Sequence, residues 1–255
     1  MPVELNRSGD YAILRLVRPE ALNALSFDVL GQISFAIDKV ASWPVKALIV
    51  TGAGDKAFCA GADIKELRGR TMIECKRGAE LGQSAFAKLE QLPMPSIAAI
   101  NGFAFGGGLE LALACTFRVA VRNAKLGLPE IKLGLIPGYG GTQRLPRLIG
   151  EGRALDMIML GRTVSAEEAE RIGLVHRVAN GSVMDAAVLL ANDLAAYSLV
   201  TLKLAREAVS RALDLPVHEG LKIEADLSTL AFGTADAEEG MSAFTEKRKP
   251  AFKHA

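Results

Sequence analysis

Ser96 to Ile100 (SIAAI), Asn101 to Gly108 (NGFAFGGG), Leu109 to Cys115 (LELALAC) and Phe117 to Val121 (FRVAV) follow one another almost without interruption, and their order decides the fold class. The first and last are short apolar runs bounded by turn signals, the pattern of buried strands. Between them lies a loop with four glycines and then a run of helix-forming residues. Strand, glycine loop, helix and strand in that order imply an α/β layered core. Working toward the N-terminus, Val45 to Thr51 (VKALIVT) is another short apolar run, bounded by Pro44 and Gly52. Before it, Ser26 is placed to N-cap a helix running to about Trp43, with Leu30, Ile33, Ile37 and Val40 on one face and Pro44 as its stop. Val3 to Leu16 is expected to form a hairpin around Ser8-Gly9-Asp10.

Toward the C-terminus the character changes after about residue 150. Ser165-Ala-Glu-Glu168 has the form of a capping box opening a helix, and Val183 to Ala196, Leu199 to Leu213 and Val217 to Ala231 are expected to be further helices. The division predicted is a core over residues 1–195, carrying the active site, and a helical region over 196–255 that packs on the core or on another subunit.

Bulk properties narrow the function. The chain has 255 residues, 50% hydrophobic and 23% charged, in the ordinary range for a globular protein. Its 30 basic and 29 acidic side chains leave no global field to draw it to nucleic acid or an anionic membrane. Cys59, Cys75 and Cys115 are odd in number and widely spaced, which predicts free thiols in a reducing compartment. The sequence MPVELNRSGD lacks a signal-peptide pattern and no run of 18 apolar residues occurs, so a soluble, cytoplasmic protein is expected. His176, His218 and His254 are too scattered for a metal cage or a triad, and His176 is expected to be structural. Gly52-Ala-Gly-Asp-Lys-Ala57 matches GxGxxA, but another turn, FCAGAD, intervenes where a dinucleotide site needs a helix.

Three places could carry chemistry. A helix starting at Gly107 or Gly108 presents unpaired N–H groups and its positive end to the loop before it, so the Gly107 N–H can donate to an oxygen that gains charge. Glu110 follows roughly 4.5 Å along the axis, where the dipole is expected to favour its carboxylate form; a glycine loop that only permits close packing fits the same spacing. In Phe58 to Leu67 (FCAGADIKEL), Asp63 can N-cap a helix and leave the Ala62 N–H as a second donor, although an ordinary capped helix has the same pattern. Glu130, fixed by Pro129 among apolar neighbours, is expected to be partly buried with a raised pKa, unless it is a surface loop residue. Burial of one acid and the dipole at the other would split the pair into a proton donor and a proton acceptor. Lys65, Arg68, Arg70, Lys76 and Arg77 form a basic stretch interspersed with Glu66 and Glu74, the mark of a solvated helical face as much as of a phosphate site.

These elements resemble the enoyl-CoA hydratase/isomerase (crotonase) superfamily nearly end to end. The matching segments are Arg18 to Leu25 (RPEALNAL), Ala60 to Lys65 (AGADIK), Ile97 to Gly102, Gly106 to Glu110 (GGGLE), Leu128 to Gly134 (LPEIKLG), Ile136-Pro-Gly, Gly140 to Leu145 (GGTQRL), Glu239 to Phe244 and Glu246-Lys-Arg. The resemblance implies a spiral of repeated ββα turns and a C-terminal helical trimerisation region, giving a homo-oligomer, a trimer or a dimer of trimers. It implies an oxyanion hole at the Ala62 and Gly107 amides and a pair of catalytic acids, Glu110 as base and Glu130 as acid, adding water to a 2-enoyl thioester. It also implies a coenzyme A site at Ala24, Ala60, Asp63, Ile64 and Lys65, with Phe244 and Lys247 reaching in from the C-terminal helix, of the same subunit or a neighbour. The substrate would be an acyl-CoA thioester, with no cofactor beyond the coenzyme A it carries, no metal, and neither nucleic acid nor membrane as partner. The alternative activity on the same scaffold is Δ3–Δ2 enoyl-CoA isomerisation, or related acyl-CoA enolate chemistry, which members of the family generally perform with one acid; RNA binding, known in some relatives, is the alternative from a different class. Two departures stand out: Thr116 follows Cys115 where an acid or similar polar group is usual, and Glu20 lies where some relatives carry lysine. Acyl-chain selectivity is expected to depend on a loop from about Arg68 to Leu81.

Overall fold

A computed structural model describes residues 1–254. β1 (Val3–Ser8) and β2 (Tyr11–Leu16) form the expected hairpin, with Gly9 at φ 61° in the turn. α1 (Phe27–Val40) is capped by Ser26, whose hydroxyl accepts from the Val29 N–H. It ends at Val40, short of Trp43, because the ring of Pro44 disfavours a helical conformation at the residue before it. β3 (Ala47–Gly52) and β4 (Ala57–Cys59) follow, then the one-turn α2 (Ile64–Leu67), α3 (Met72–Gln91), β5 (Ser96–Ile100), β6 (Phe103–Phe105), α4 (Gly107–Ala114), β7 (Phe117–Val121) and β8 (Lys125–Gly127). A 3-10 turn over Glu130–Leu133 leads to α5 (Gly141–Ile149), α6 (Glu151–Met159), β9 (Thr163–Ser165), α7 (Ala166–Arg171), β10 (Arg177–Ala179) and α8 (Val183–Ala195). The last three helices are α9 (Leu199–Arg211), α10 (Val217–Phe232) and α11 (Ala235–Glu246).

Strands alternate between two sheets, ordered β1-β2-β3-β5-β7-β10 and β4-β6-β8-β9. Each strand of the central run β3, β5, β7 passes directly to a short strand of the second sheet before the chain turns away, and this is the repeated ββα spiral that the family resemblance implies, within the α/β layered core read from the residues. β3 and β5 are buried along their whole length because the large sheet is covered on both faces. One face joins the main core with Leu30, Ile33, Phe58, Phe86 and Leu109; the other packs Ile49, Ile97 and Val119 against Val183, Ala187 and Leu190 of α8.

Four expectations need correction. Most of the segment from Arg68 to Leu81 is not a loop: α3 begins at Met72 with a complete Thr71–Glu74 capping box. Its buried face includes Gly78, Gly82 and Ala85, so the usual large-apolar periodicity is missing from the sequence. The basic stretch Lys65 to Arg77 is correspondingly not one helical face: Lys65 lies on α2, Arg68 and Arg70 in the connection, and Lys76 and Arg77 on α3, with Arg70 paired to Glu66 and Glu74 and Lys76 to Glu80. At α7 only half a capping box forms, because Glu168 turns its carboxylate to Arg162 instead of back to the Ser165 N–H. The three-residue strands β9 and β10 lie in a region expected to be helical, too short to register as alternation. No single helix is long and apolar enough to cross a membrane.

Candidate active site

α4 opens against the end of β4. Gly106 is its N-cap, at φ 50° and ψ −126°, and donates its N–H to the Gly127 carbonyl at 3.0 Å. A Cβ at Gly108 would lie 2.1 Å from the Cys59 carbonyl oxygen, so only glycine lets the helix approach that strand. Gly108→Ala is therefore expected to lower stability by about 1–3 kcal/mol or more and to shift α4 against the 59–63 loop, read as a reduced urea midpoint together with lost activity.

The loop after β4 lies against the same helix start. A Cβ at Gly61 (φ 105°) would be 3.5 Å from the Gly107 nitrogen and 2.9 Å from the Phe105 carbonyl oxygen. Ala62 forms a parallel bridge with Leu25: the Leu25 N–H donates to the Gly61 carbonyl and the Asp63 N–H to the Leu25 carbonyl, both at 2.8 Å. The Ala62 amide consequently faces the other way. Among the described residues neither the Ala62 nor the Gly107 N–H has a backbone or side-chain acceptor. The Asp63 side chain does not cap α2 as expected; it accepts instead from Arg18 at 3.2 Å, a full charge preferred over a one-turn helix dipole.

Glu110 projects from α4 toward the start of α5. Its Oε1 accepts from the Tyr139 N–H at 2.8 Å and the Gly141 N–H at 2.7 Å, and its side chain is buried. Burial pushes its pKa up to about 7; the Glu130 charge acts in the same direction, while the two amides and Arg144 oppose it. The dipole-based expectation of a favoured carboxylate at Glu110 is overturned, because desolvation outweighs a partial helix charge.

Glu130 heads the 3-10 turn, as an acid fixed by Pro129. Its Oε1 would be 2.8 Å from a Cβ at Gly106, placing the carboxyl over the residue immediately before Gly107. Its Oε2 is buried without a hydrogen-bond partner, and burial raises its pKa as expected. Both acids thus border the first turn of α4 and both are pushed up rather than split.

Tyr139 was not singled out from the sequence. Its ring packs between α3 and α4: a Cβ at Gly82 would be 2.3 Å from Cδ1 and one at Gly107 2.9 Å from Cδ2, and it meets Phe86 edge-on at 5.8 Å. An aromatic residue inside Pro137-Gly-Tyr-Gly-Gly141, matched by glycines in the facing helices, is the signal that could have found it.

The structure joins most of the expected carrier residues. Arg18 donates to the Ala24 carbonyl at 2.8 Å as well as to Asp63, and the Ala60 N–H donates to the Leu22 carbonyl, so Ala24, Ala60, Asp63, Ile64 and Lys65 lie along two connected segments. Ile64 and Lys65 are exposed. Phe244 and Lys247 are not joined to them by packing within the chain: α11 packs against α10, and Phe244 is 86% exposed. Gly52 to Ala57 leads into β4 and not a helix, against a dinucleotide site. His176 is held by the Arg118 N–H at Nδ1, consistent with a structural role. Among the described residues no group of three His, Cys, Asp or Glu side chains could hold a metal ion.

The model of the family described as enoyl-CoA hydratase/isomerase matches residues 7–255. The chain belongs to that family. Enoyl-CoA hydratase/isomerase relatives include a short-chain-enoyl-CoA hydratase of Clostridium acetobutylicum, 42% identical over 249 residues that cover 97% of this chain and 95% of that one. A crotonyl-CoA hydratase of Syntrophomonas wolfei is 42% identical over 250 residues, 97% of this chain and 96% of that one. Among solved structures, an enoyl-CoA hydratase from Bacillus anthracis superposes with a TM-score of 0.95 at 40% identity, covering 100% of both chains.

Proposed function

We propose that the protein is an enoyl-CoA hydratase, adding water reversibly to a trans-2-enoyl-CoA to give a 3-hydroxyacyl-CoA. The observation that carries the proposal is the meeting of two acids, the buried Glu110 and the half-buried Glu130 with its unpartnered Oε2, around a helix start whose Gly107 amide has no acceptor among the described residues. The thioester carbonyl oxygen sits between the Ala62 and Gly107 N–H groups, which stabilise it as it becomes enolate-like; one such donor is typically worth about 3–4 kcal/mol of barrier. A water between the carboxyls gives its proton to Glu110 and its oxygen to C3, while Glu130 protonates C2. A pKa of about 7 suits Glu110 to exchange a proton near neutral pH. The scheme calls on no metal and no cofactor besides the coenzyme A of the substrate, bound along Ala24, Ala60, Asp63, Ile64 and Lys65. Two acids favour hydration over isomerisation with one. The pairing of Arg70 with Glu66 and Glu74 and of Lys76 with Glu80 counts against an RNA site.

Short enoyl chains are the proposed substrates, since the Tyr139 ring occupies space beside Gly107 and the two relatives named above carry short-chain and crotonyl-CoA in their names. The region after residue 195 is proposed to assemble a trimer or a dimer of trimers: α9 and α10 bury no residue in the single chain and expose Val209, Val217, Leu221 and Phe232. Assembly would supply the neighbours that Phe244 and Lys247 need to reach a carrier. The test is a turnover screen of enoyl-CoA substrates of increasing length with products identified, and sedimentation for the assembly. Hydration of crotonyl-CoA with falling kcat/KM for longer chains is expected; isomerised products without hydration would overturn the reading.

A further inference from the structure

The turn that holds Glu110 is itself held, group by group. Its two donors belong to the peptides 138–139 and 140–141, and the peptide 139–140 lies between them. The Gly138 carbonyl, on the far side of the same peptide as the Tyr139 N–H, accepts from the Gln83 amide at 2.9 Å. The Tyr139 carbonyl accepts from Arg144 Nη1 at 3.1 Å. The Gly140 carbonyl, paired with the Gly141 N–H across its peptide, accepts from the Arg144 and Gln143 backbone N–H groups at 2.9 and 3.1 Å. Arg144 is in turn fixed through Nε to Glu90 Oε1 at 2.5 Å, and Gln83 and Glu90 both stand on α3. Its guanidinium lies directly over Gly140, where a Cβ would be 2.1 Å from Nη1, so the φ of 110° and the close approach there both require glycine.

We propose that Arg144, seconded by Gln83, is a positioning residue that latches the 138–141 turn to α3 in the one arrangement that aims both amides at Glu110. The Gln83 bond also polarises the 138–139 peptide, strengthening the Tyr139 N–H on its opposite side, whereas Arg144 grips the 139–140 peptide between the two donors and so fixes their orientation and adds its charge beside the carboxylate. The latch therefore acts on the protonation of Glu110 as well as on its place. Facing the Glu110 carboxyl are Glu130 from the 3-10 turn, Arg144 from α5 and the Tyr139 phenol, with Glu66 of α2 and the buried Cys59 thiol, pushed up to about 12, beyond that phenol. Loosening the two amides removes support from the carboxylate form alone, so the acid's pKa rises and the acid limb of the rate profile moves to higher pH.

The inference rests on the hydratase reading, with Glu110 as base. The experiment follows kcat and KM for crotonyl-CoA against pH in the wild type, Arg144→Met, Arg144→Lys and Gln83→Met, with Glu110→Gln to assign the limb. Arg144→Met is expected to move the acid limb up by about half a pH unit or more, a loss of about three-fold on that limb that recovers at higher pH, with KM little changed. Gln83→Met is expected to give a smaller shift in the same direction. Arg144→Lys keeps the charge and loses the two-pronged grip, so it too is expected to shift the limb; should Arg144→Met not fold, this variant and Gln83→Met carry the test. A limb that stays in place, with rates lowered equally at every pH or unchanged, would overturn the latch, as would full rescue by lysine. Infrared titration of the Glu110 carboxyl, identified by its loss in Glu110→Gln, reads the same midpoint without substrate. A wild type that hydrates nothing would thus remove the hydratase reading while leaving the latch open to measurement.

Discussion

Glu110→Gln is expected to slow hydration of crotonyl-CoA by at least about 100-fold, and Glu130→Gln to do the same, each with the oxyanion donors left in place. Glutamine at 110 can still accept from the Tyr139 and Gly141 amides through its carbonyl oxygen, so the turn and the helix start keep their geometry. What it loses is the ability to take a proton from water. Glutamine at 130 likewise fills the space over Gly106 but cannot deliver a proton to C2. Because the two acids act on the same water and the same carbons, their losses are not additive, and the double variant is expected to fall little below the worse single one. Stopped-flow loss of the enoyl thioester absorbance measures all three. If neither single variant slows hydration by that factor, the two-acid mechanism fails.

Much of this site was legible in the chain itself, and the parts that were not share a cause. Gly106-Gly-Gly-Leu-Glu110 carries its meaning locally: glycines that let α4 approach β4 and an acid one turn on are adjacent in sequence, and the structure keeps them adjacent. The Ala62 amide could be anticipated because small residues must form its loop. Tyr139, Gly141 and Arg144 act across about thirty residues of chain on Glu110, and only the fold brings them there. The same holds for the protonation of Glu110: a dipole one turn away can be read from spacing, whereas desolvation depends on what α5, Leu128 and Tyr139 place around the carboxyl. The first half of α3 was hidden for a different reason, since its buried positions there are Gly78 and Gly82, which make room for Phe27 and Tyr139, and the large buried side chains Phe86 and Leu89 come only later. The proposed carrier residues Phe244 and Lys247, at the end of α11, mark the limit of the single chain, because nothing in its own packing draws Phe244 to the loop at Ala60.

The raised pKa of Glu110 carries a cost in stability whose sign can be fixed. Its folded value of about 7 lies above the ordinary 4.5, so between those pH values the native state holds a proton that the unfolded chain has released. Stability contributed by this group is complete below about pH 4.5 and is lost as the pH rises through 7, a swing on the order of 3 kcal/mol. Glutamine at 110 has no proton to lose and should not show that decline. Glu130, raised in the same direction, is present in both proteins and largely cancels in the difference; removal of the neighbouring charge at 110 lets it ionise more easily, which adds to the advantage of the variant at high pH. Urea unfolding at one protein concentration, at pH 5 and pH 8, is therefore expected to place Glu110→Gln close to the wild type or below it at the lower pH and clearly above it at the higher. Parallel profiles would mean that Glu110 ionises as freely in the folded protein as in the unfolded chain, and a base with that property would have no proton affinity near neutral pH to offer the reaction. The energy that burial takes from the fold and the basicity that it confers on Glu110 are one quantity, measured once by denaturant and once by turnover.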